Sequence, residues 1–474
     1  MNDFLLVFPE AVLAIGTVFL LAIGTVRGDD AAAQNCYLGA AILLLSVGAM
    51  AISVVFVDGD LASSLQSDAF AVYLKTLFAA LTTLALLISP AWFNAENHHR
   101  FEYAPVFLSA TLGLMVMVSS ATLAGVFLGV TLQGSAFAIL IAIQNKSLRA
   151  TETGLRFAVH AGFATAILLY GASLVFGLSG SLGFEDVSTH LASNSLTVGL
   201  AFGIALVFAG LFVFAAIVPF NAWVQDAYLA APAPVTTILA TATKIAAIAV
   251  LARMIIVSLP SAASMWQPMI SALAVITMAM GFLAAFAQTN LIRAMAMASI
   301  GHGGFALIGL ASGSEAGAKG LLVYLTLYAF AIMGVFACLS SLRSDGDHYL
   351  EIDDLEGLGT TKPFMAFLVT ALFLSLAGLP PLGGFFGGLY VLLSAVEAEL
   401  YLLAAAGLIG SIAATAFYVR LIWLVYTREP EREYDAMTIG VKFVFGATAS
   451  LSIGFALYPT PLVSAAQRAA ASLF

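Results

Sequence analysis

Charge is what this chain has least of. Of its 474 residues only 9% are charged, while 62% are hydrophobic and the mean hydropathy is +1.04. A soluble domain carries about a quarter charged residues, so lipid must solvate most of this surface. No polar stretch is large enough to fold as a separate soluble domain. Basic patches are also missing: the net charge of −9 comes from scattered acids, which excludes nucleic acid as a partner. The two cysteines, Cys36 and Cys338, stand far apart and outside any Cys-x-x-Cys spacing. They indicate neither a disulfide nor a metal site. The N-terminus has no basic region before its first apolar run, which predicts a retained helix and not a cleaved signal.

What is present is a series of long apolar runs. Crossing the hydrocarbon core takes about 20 apolar residues, and runs of that kind predict about fourteen spans. They lie near 4–26, 37–57, 69–89, 104–119, 121–142, 156–177, 196–230, 233–258, 269–288, 295–311, 318–341, 364–395, 399–426 and 440–466. In lipid only helices and closed barrels satisfy the backbone, and runs this continuous exclude strand alternation. The expected fold is an all-α polytopic membrane protein, a single integral domain over 1–474.

Basic residues should mark the cytoplasmic side. With fourteen spans, one set of loops and helix ends holds Arg27, Arg100, Lys146, Arg149, Arg156, Arg293, Arg343, Lys362, Arg420, Arg428, Arg432 and Lys442. The other side has Lys319, Arg468 and Arg253. That asymmetry predicts that both termini lie outside the cytoplasm of a multi-pass protein in the cell's inner (plasma) membrane.

Two spans are too long for one straight crossing. The seventh, "LFVFAAIVPFNAWVQDAYLAAPAPVT", is interrupted by Pro219, and the twelfth, "LSLAGLPPLGGFFGGLYVLL", by Pro380 and Pro381. Proline removes a donor and clashes with the preceding turn, so both helices should break at membrane depth. Each is the fourth of five in the units 104–258 (helices 4–8) and 269–426 (helices 9–13), which predicts two inverted five-helix repeats. Helices 1–3 (1–90) precede them and a final helix (440–466) follows. Broken helices at corresponding positions of two halves point to an ion pathway; the alternative is that prolines are common in membrane helices.

Few charges remain inside. Lys244, in "TATKIAAIAVLA", is mid-span with no carboxylate in its own segment. Keeping its charge costs roughly 2.5–3.5 kcal/mol on insertion scales. Discharging it at neutral pH costs roughly 4.6 kcal/mol. The two costs are close, which suits a proton carrier; a lysine that only binds the carbonyls of a broken helix is the alternative. His302, in "SIGHGGFALIGL", is either a proton-passing or a packing histidine, with glycines that admit neighbouring helices. Glu152, Arg156 and His160 share one face of the sixth span. The first two should pair at the membrane edge, while His160 reaches deeper as a relay candidate. Lys75 on the third span could hydrate toward the interior and is a further candidate; Glu10, beside Pro9, should snorkel to the surface. No Walker loop, dinucleotide glycine turn, cysteine cluster or histidine pair gives a cofactor site.

Several stretches resemble a known family. "VPFNAWVQDAYLAAPAPVTTILATATKIAAIAVLAR" looks like the helix 7–8 signature of the antiporter-like membrane subunits of bacterial NADH:quinone oxidoreductase, respiratory complex I. "ATETGLRFAVHAGFATAILLYGASLVFG", "IRAMAMASIGHGGFALIGL" and "LEGLGTTKPFMAFLVTALFLSLAGLPPLGGFFGGLY" are similar to its helices 6, 10 and 12, and "DAYLAAPAPVT" favours the chain N type. The resemblance covers about residues 68–426. It implies fourteen helices, inverted repeats and a role in proton translocation within a hetero-oligomer of membrane-arm subunits in the lipid bilayer. It implies no cofactor in this chain: NADH, FMN, iron–sulfur clusters and quinone would belong to partner subunits. The family's proton route uses a glutamate on helix 5 and lysines on helices 7, 8 and 12. Lys244 matches the helix 8 lysine, but the other positions fall at Thr131, Phe214 and Gly388. In the family the helix 5 and helix 7 charges would form an ion pair. Two alternatives stay open: a subunit of a Mrp-type cation/proton antiporter or membrane-bound hydrogenase, and a non-conducting structural subunit.

Overall fold

In lipid, each apolar run must close its own backbone hydrogen bonds, and almost the whole chain is helical. The computed structural model describes residues 2–56, 65–194, 196–344, 347–348, 350–427 and 434–474. Arg428 and Arg432, assigned above to the basic side, lie outside the described residues. The first spans are α1 (Asn2–Arg27), α2 (Ala32–Phe56), α3 (Ala69–Glu96), α4 (Tyr103–Ser119), α5 (Leu123–Ile141) and α6 (Leu148–Ser179). A short helix, α7 (Phe184–Ser193), occupies what reads in sequence as a loop. It is amphipathic and seats Phe184, Val187 and Leu191 inward, a period too brief to stand out among membrane spans.

The seventh span is α8 (Val198–Ala215) plus α9 (Val224–Ala230), and the eighth is α10 (Ala233–Ala240) plus α11 (Ala242–Arg253). Next come α12 (Ala263–Phe286), α13 (Leu291–Ala311) and α14 (Glu315–Leu339). Two-residue strands, β1 (Arg343–Ser344) and β2 (Asp347–His348), pair in the following loop. One turn, α15 (Leu358–Thr361), leads to the twelfth span, α16 (Pro363–Leu376) plus α17 (Gly383–Glu397). The chain ends with α18 (Tyr401–Thr427), α19 (Ile439–Leu457) and α20 (Thr460–Ala471). Each of the predicted apolar runs coincides with a helix or a helix pair. Among the described residues, eleven stretches are long and apolar enough to cross a membrane; α4, α16 and α17 are shorter apolar helices.

Close packing here depends on small residues, because lipid provides no hydrophobic drive between helices. A Cβ on Gly129 of α5 would meet the Gly113 carbonyl of α4 at 2.7 Å, and one on Gly281 of α12 would meet the Gly301 nitrogen of α13 at 2.2 Å. The α4–α5 and α12–α13 pairs therefore both dock glycine to glycine.

The two proline breaks have the same construction. After α8, Ala216 adopts φ +57 and the Ile217 amide donates to Phe212 O at 3.0 Å. After α16, Gly378 adopts φ +69 and the Leu379 amide donates to Leu374 O at 3.1 Å. Each cap is followed by a cis peptide bond, Val218–Pro219 in one and Pro380–Pro381 in the other. These left-handed caps satisfy helix-end carbonyls that would otherwise stay bare.

Candidate functional site

A third break, which has no proline, divides the eighth span at Thr241 (φ −119, ψ −85) just before Lys244. The local sequence "TTILATAT" explains it. Thr237 Oγ1 donates to Pro234 O (2.6 Å), Thr241 Oγ1 to Thr237 O (2.7 Å) and Thr243 Oγ1 to Ile238 O (3.4 Å). Threonine hydroxyls that bond back to their own helix compete with its amides for those carbonyls and bend it. Two freed carbonyls are taken by distant tyrosines: Tyr228 OH donates to Leu239 O (3.2 Å) and Tyr328 OH to Ala240 O (3.0 Å).

Every residue of α11 is buried, and Lys244 is only 2% exposed. Its Nζ donates to Ser299 Oγ at 2.7 Å and lies 5.6 Å from the Tyr228 ring centroid. Ser299 in turn donates to Ala296 O at 2.6 Å. Among the described residues, no carboxylate lies within ion-pair distance of Lys244. The Tyr228 and Tyr328 hydroxyls both lie beside Ser299.

One helical turn along α13 from Ser299 stands His302, 3% exposed. Its Nδ1 is 2.8 Å from Tyr324 OH and its Nε2 2.9 Å from Tyr418 OH. A neutral imidazole donates from one nitrogen and accepts at the other, so proton transfer along this line would exchange the two tautomers. The Tyr328 ring lies 5.1 Å from the imidazole centroid. Beside it is a cavity of about 40 Å³, lined by His302, Tyr324, Tyr328, Gly378, Gly384 and Gly388. That is roughly the space of two or three waters. It joins His302 to the twelfth-span break and to Gly388, where a Cβ would find only Phe305, at 3.7 Å. On the other side a second cavity, about 160 Å³, reaches from Glu96 and Gln144 to Tyr228 and Thr236. Helix α13 packs against both α9 and α17, the far halves of the two proline-broken spans.

The other sequence candidates lie elsewhere. His160 is on the exposed face of α6, with Nδ1 2.8 Å from its own helix's Arg156 O, and does not reach the interior as expected. Glu152 and Arg156 pair at 2.5 Å, and Arg156 also approaches Asp226 at 3.7 Å. Glu10 does not snorkel as expected, and Lys75 has a carboxylate partner. They form an ion pair of 2.5 Å between α3 and α1, both buried. Positions 131 and 214 differ in exposure. Thr131 is exposed and bonded to its own helix (Phe127 O, 2.7 Å), while Phe214 of α8 is buried, with its ring against the Gly134 position of α5. Tyr228, Tyr324, Tyr328, Tyr418, Ser299 and the Thr241 break were missed in sequence. Only the threonine density of "TTILATAT" could have signalled the break.

Residues 120–413 match the family model described as NADH:quinone oxidoreductase/Mrp antiporter, TM. The chain is 36% identical over 472 residues to NADH-quinone oxidoreductase subunit N 1 of Rhizobium meliloti, covering 98% of this chain and 97% of that one. It is 38% identical over 474 residues to the subunit N of Azorhizobium caulinodans, covering 99% and 98%. Its fold is similar to a chain of respiratory complex I from Thermus thermophilus (TM-score 0.82, 24% identity, 96% of this chain and 98% of that one). It is similar also to one of the Mrp complex from Dietzia sp. (TM-score 0.85, 19% identity, 100% and 97%). The chain belongs to the NADH-quinone oxidoreductase subunit N family.

Proposed function

We propose that this chain is a membrane-arm subunit of a proton-translocating NADH:quinone oxidoreductase and that Lys244 carries protons within it. The enzyme is a hetero-oligomeric translocase in a bacterial membrane, and its cofactors sit in other subunits. In this chain fourteen helices cross the inner membrane, 104–258 and 269–426 are inverted repeats, and both termini lie on the non-cytoplasmic side. The identical build of the two proline breaks supports the repeat.

The proposed route starts in the cavity at Glu96 and Gln144 and passes Tyr228 to Lys244. It continues through Ser299 and Tyr328 to His302, with waters in the small cavity completing the link. His302 takes a proton at one nitrogen and releases one from the other, toward Tyr324 or Tyr418. One observation carries the reading. A buried lysine held by a hydroxyl, with no carboxylate beside it among the described residues, lies with Ser299, Tyr328 and His302 between two cavities. Intramembrane ionisable groups are functional by default. The second reading, a non-conducting scaffold, rests on the uncharged residues at Thr131, Phe214 and Gly388.

Lys244→Arg and Lys244→Ala in the assembled complex separate the two. Arginine keeps its proton, so it can supply charge without relaying it. Protons pumped per NADH should fall by roughly half or more in both variants while assembly persists. Wild-type stoichiometry in an assembled Lys244→Arg complex would establish the scaffold.

A further inference from the structure

Away from the buried axis, α16 and α19 pack side by side and leave a groove of about 400 Å³ at their N-terminal ends. Phe364, Met365, Leu368 and Phe445 make its walls apolar, and Lys362 and Lys442 stand at its mouth. The wall residue Phe364 is 74% exposed and Phe443, outside the groove, 60%, so the groove opens among side chains that need lipid around them.

We infer that this groove binds one anionic phospholipid, with its phosphate between Lys362 and Lys442 and an acyl chain along Phe364, Leu368 and Phe445. Charge complementarity selects that occupant. Neither lysine has an ion-pair partner among the described residues. Both helices also begin here without a side-chain cap, so the first-turn amides of α19 and those after Pro363 in α16 add positive potential at the same place. Among the described residues, one acid, Asp435, stands on the rim. Among them, two ammonium groups stand against a single carboxylate, which favours a negative headgroup and disfavours a choline. Basic pockets between membrane helices on the cytoplasmic side bind anionic headgroups, and the apolar walls continue from that pocket into the hydrocarbon layer.

The test uses the assembled complex in phosphatidylcholine vesicles that contain an equal small fraction of phosphatidylglycerol or phosphatidylcholine with a photoreactive acyl chain. Phosphatidylglycerol should label segments 361–368 and 435–445 about fivefold more than phosphatidylcholine. Lys362→Gln and Lys442→Gln should each reduce that excess, the double variant should abolish it, and Lys362→Arg with Lys442→Arg should retain it. Equal labelling by the two lipids overturns the site, as does an excess that survives the double glutamine change. Labelling of the isolated chain but not of the complex would also overturn it, because a partner polypeptide would then fill the groove.

Discussion

Two buried lysines in one chain have different partners. Lys75 sits 2.5 Å from Glu10; among the described residues only Ser119, at 3.4 Å, also reaches the carboxylate, and Glu10 Oε2 finds no hydrogen-bond partner there. Removing one member of a buried pair strands the other charge, at a cost of roughly 3–5 kcal/mol, whereas replacing both by apolar groups can be neutral. Glu10→Leu alone and Lys75→Met alone should therefore each lower the thermal midpoint of the full chain strongly, and the double variant far less than their sum. Strict additivity in that cycle would mean that the two charges do not meet in the folded chain. Lys244 is held by the Ser299 hydroxyl and the Tyr228 ring, with no carboxylate in ion-pair distance among the described residues.

At the scale of elements, the proline breaks are capped like helix ends, while the break before Lys244 is made by threonines and sealed by tyrosines from α9 and α14. The positions where the family carries charge differ in what surrounds them. Phe214 is close-packed, with its ring against the position of Gly134, and a lysine there would lose aromatic burial and bring an unpaired charge. Gly388 faces the cavity beside His302. Gly388→Lys should thus leave more assembled complex than Phe214→Lys, and equal losses would show that the cavity cannot admit the side chain. Because Thr131 faces outward, Thr131→Glu and Phe214→Lys should combine additively in assembled complex and thermal midpoint. A rescue of one change by the other would put the two positions in contact after all.

For the whole molecule, the uneven distribution of basic residues sets orientation. The native cysteines Cys36 and Cys338 are both buried, so single introduced thiols can report sidedness in intact cells. Thr189→Cys, on the exposed face of α7, should react with a membrane-impermeant reagent. Asn145→Cys, next to Lys146, should be protected until the membrane is permeabilised. The reverse pattern would invert the chain, and with it the direction of the proposed proton route.

Local composition was enough to define the helices, their proline breaks and the unusual position of Lys244. In lipid each apolar run has to satisfy its own backbone, and a proline or a charge within it is visible without knowing its neighbours. Facing and partnership were not visible. Glu10 meets Lys75 from another helix, Thr131 turns out of the bundle, and His160 stays on an outer face. Four tyrosines that read as ordinary membrane aromatics converge on Lys244, Ser299 and His302. In a chain apolar on nearly every face, helical periodicity hardly distinguishes inside from outside. The helices could be read from sequence because backbone satisfaction is local; the proton-bearing cluster depends on contacts that only tertiary packing makes.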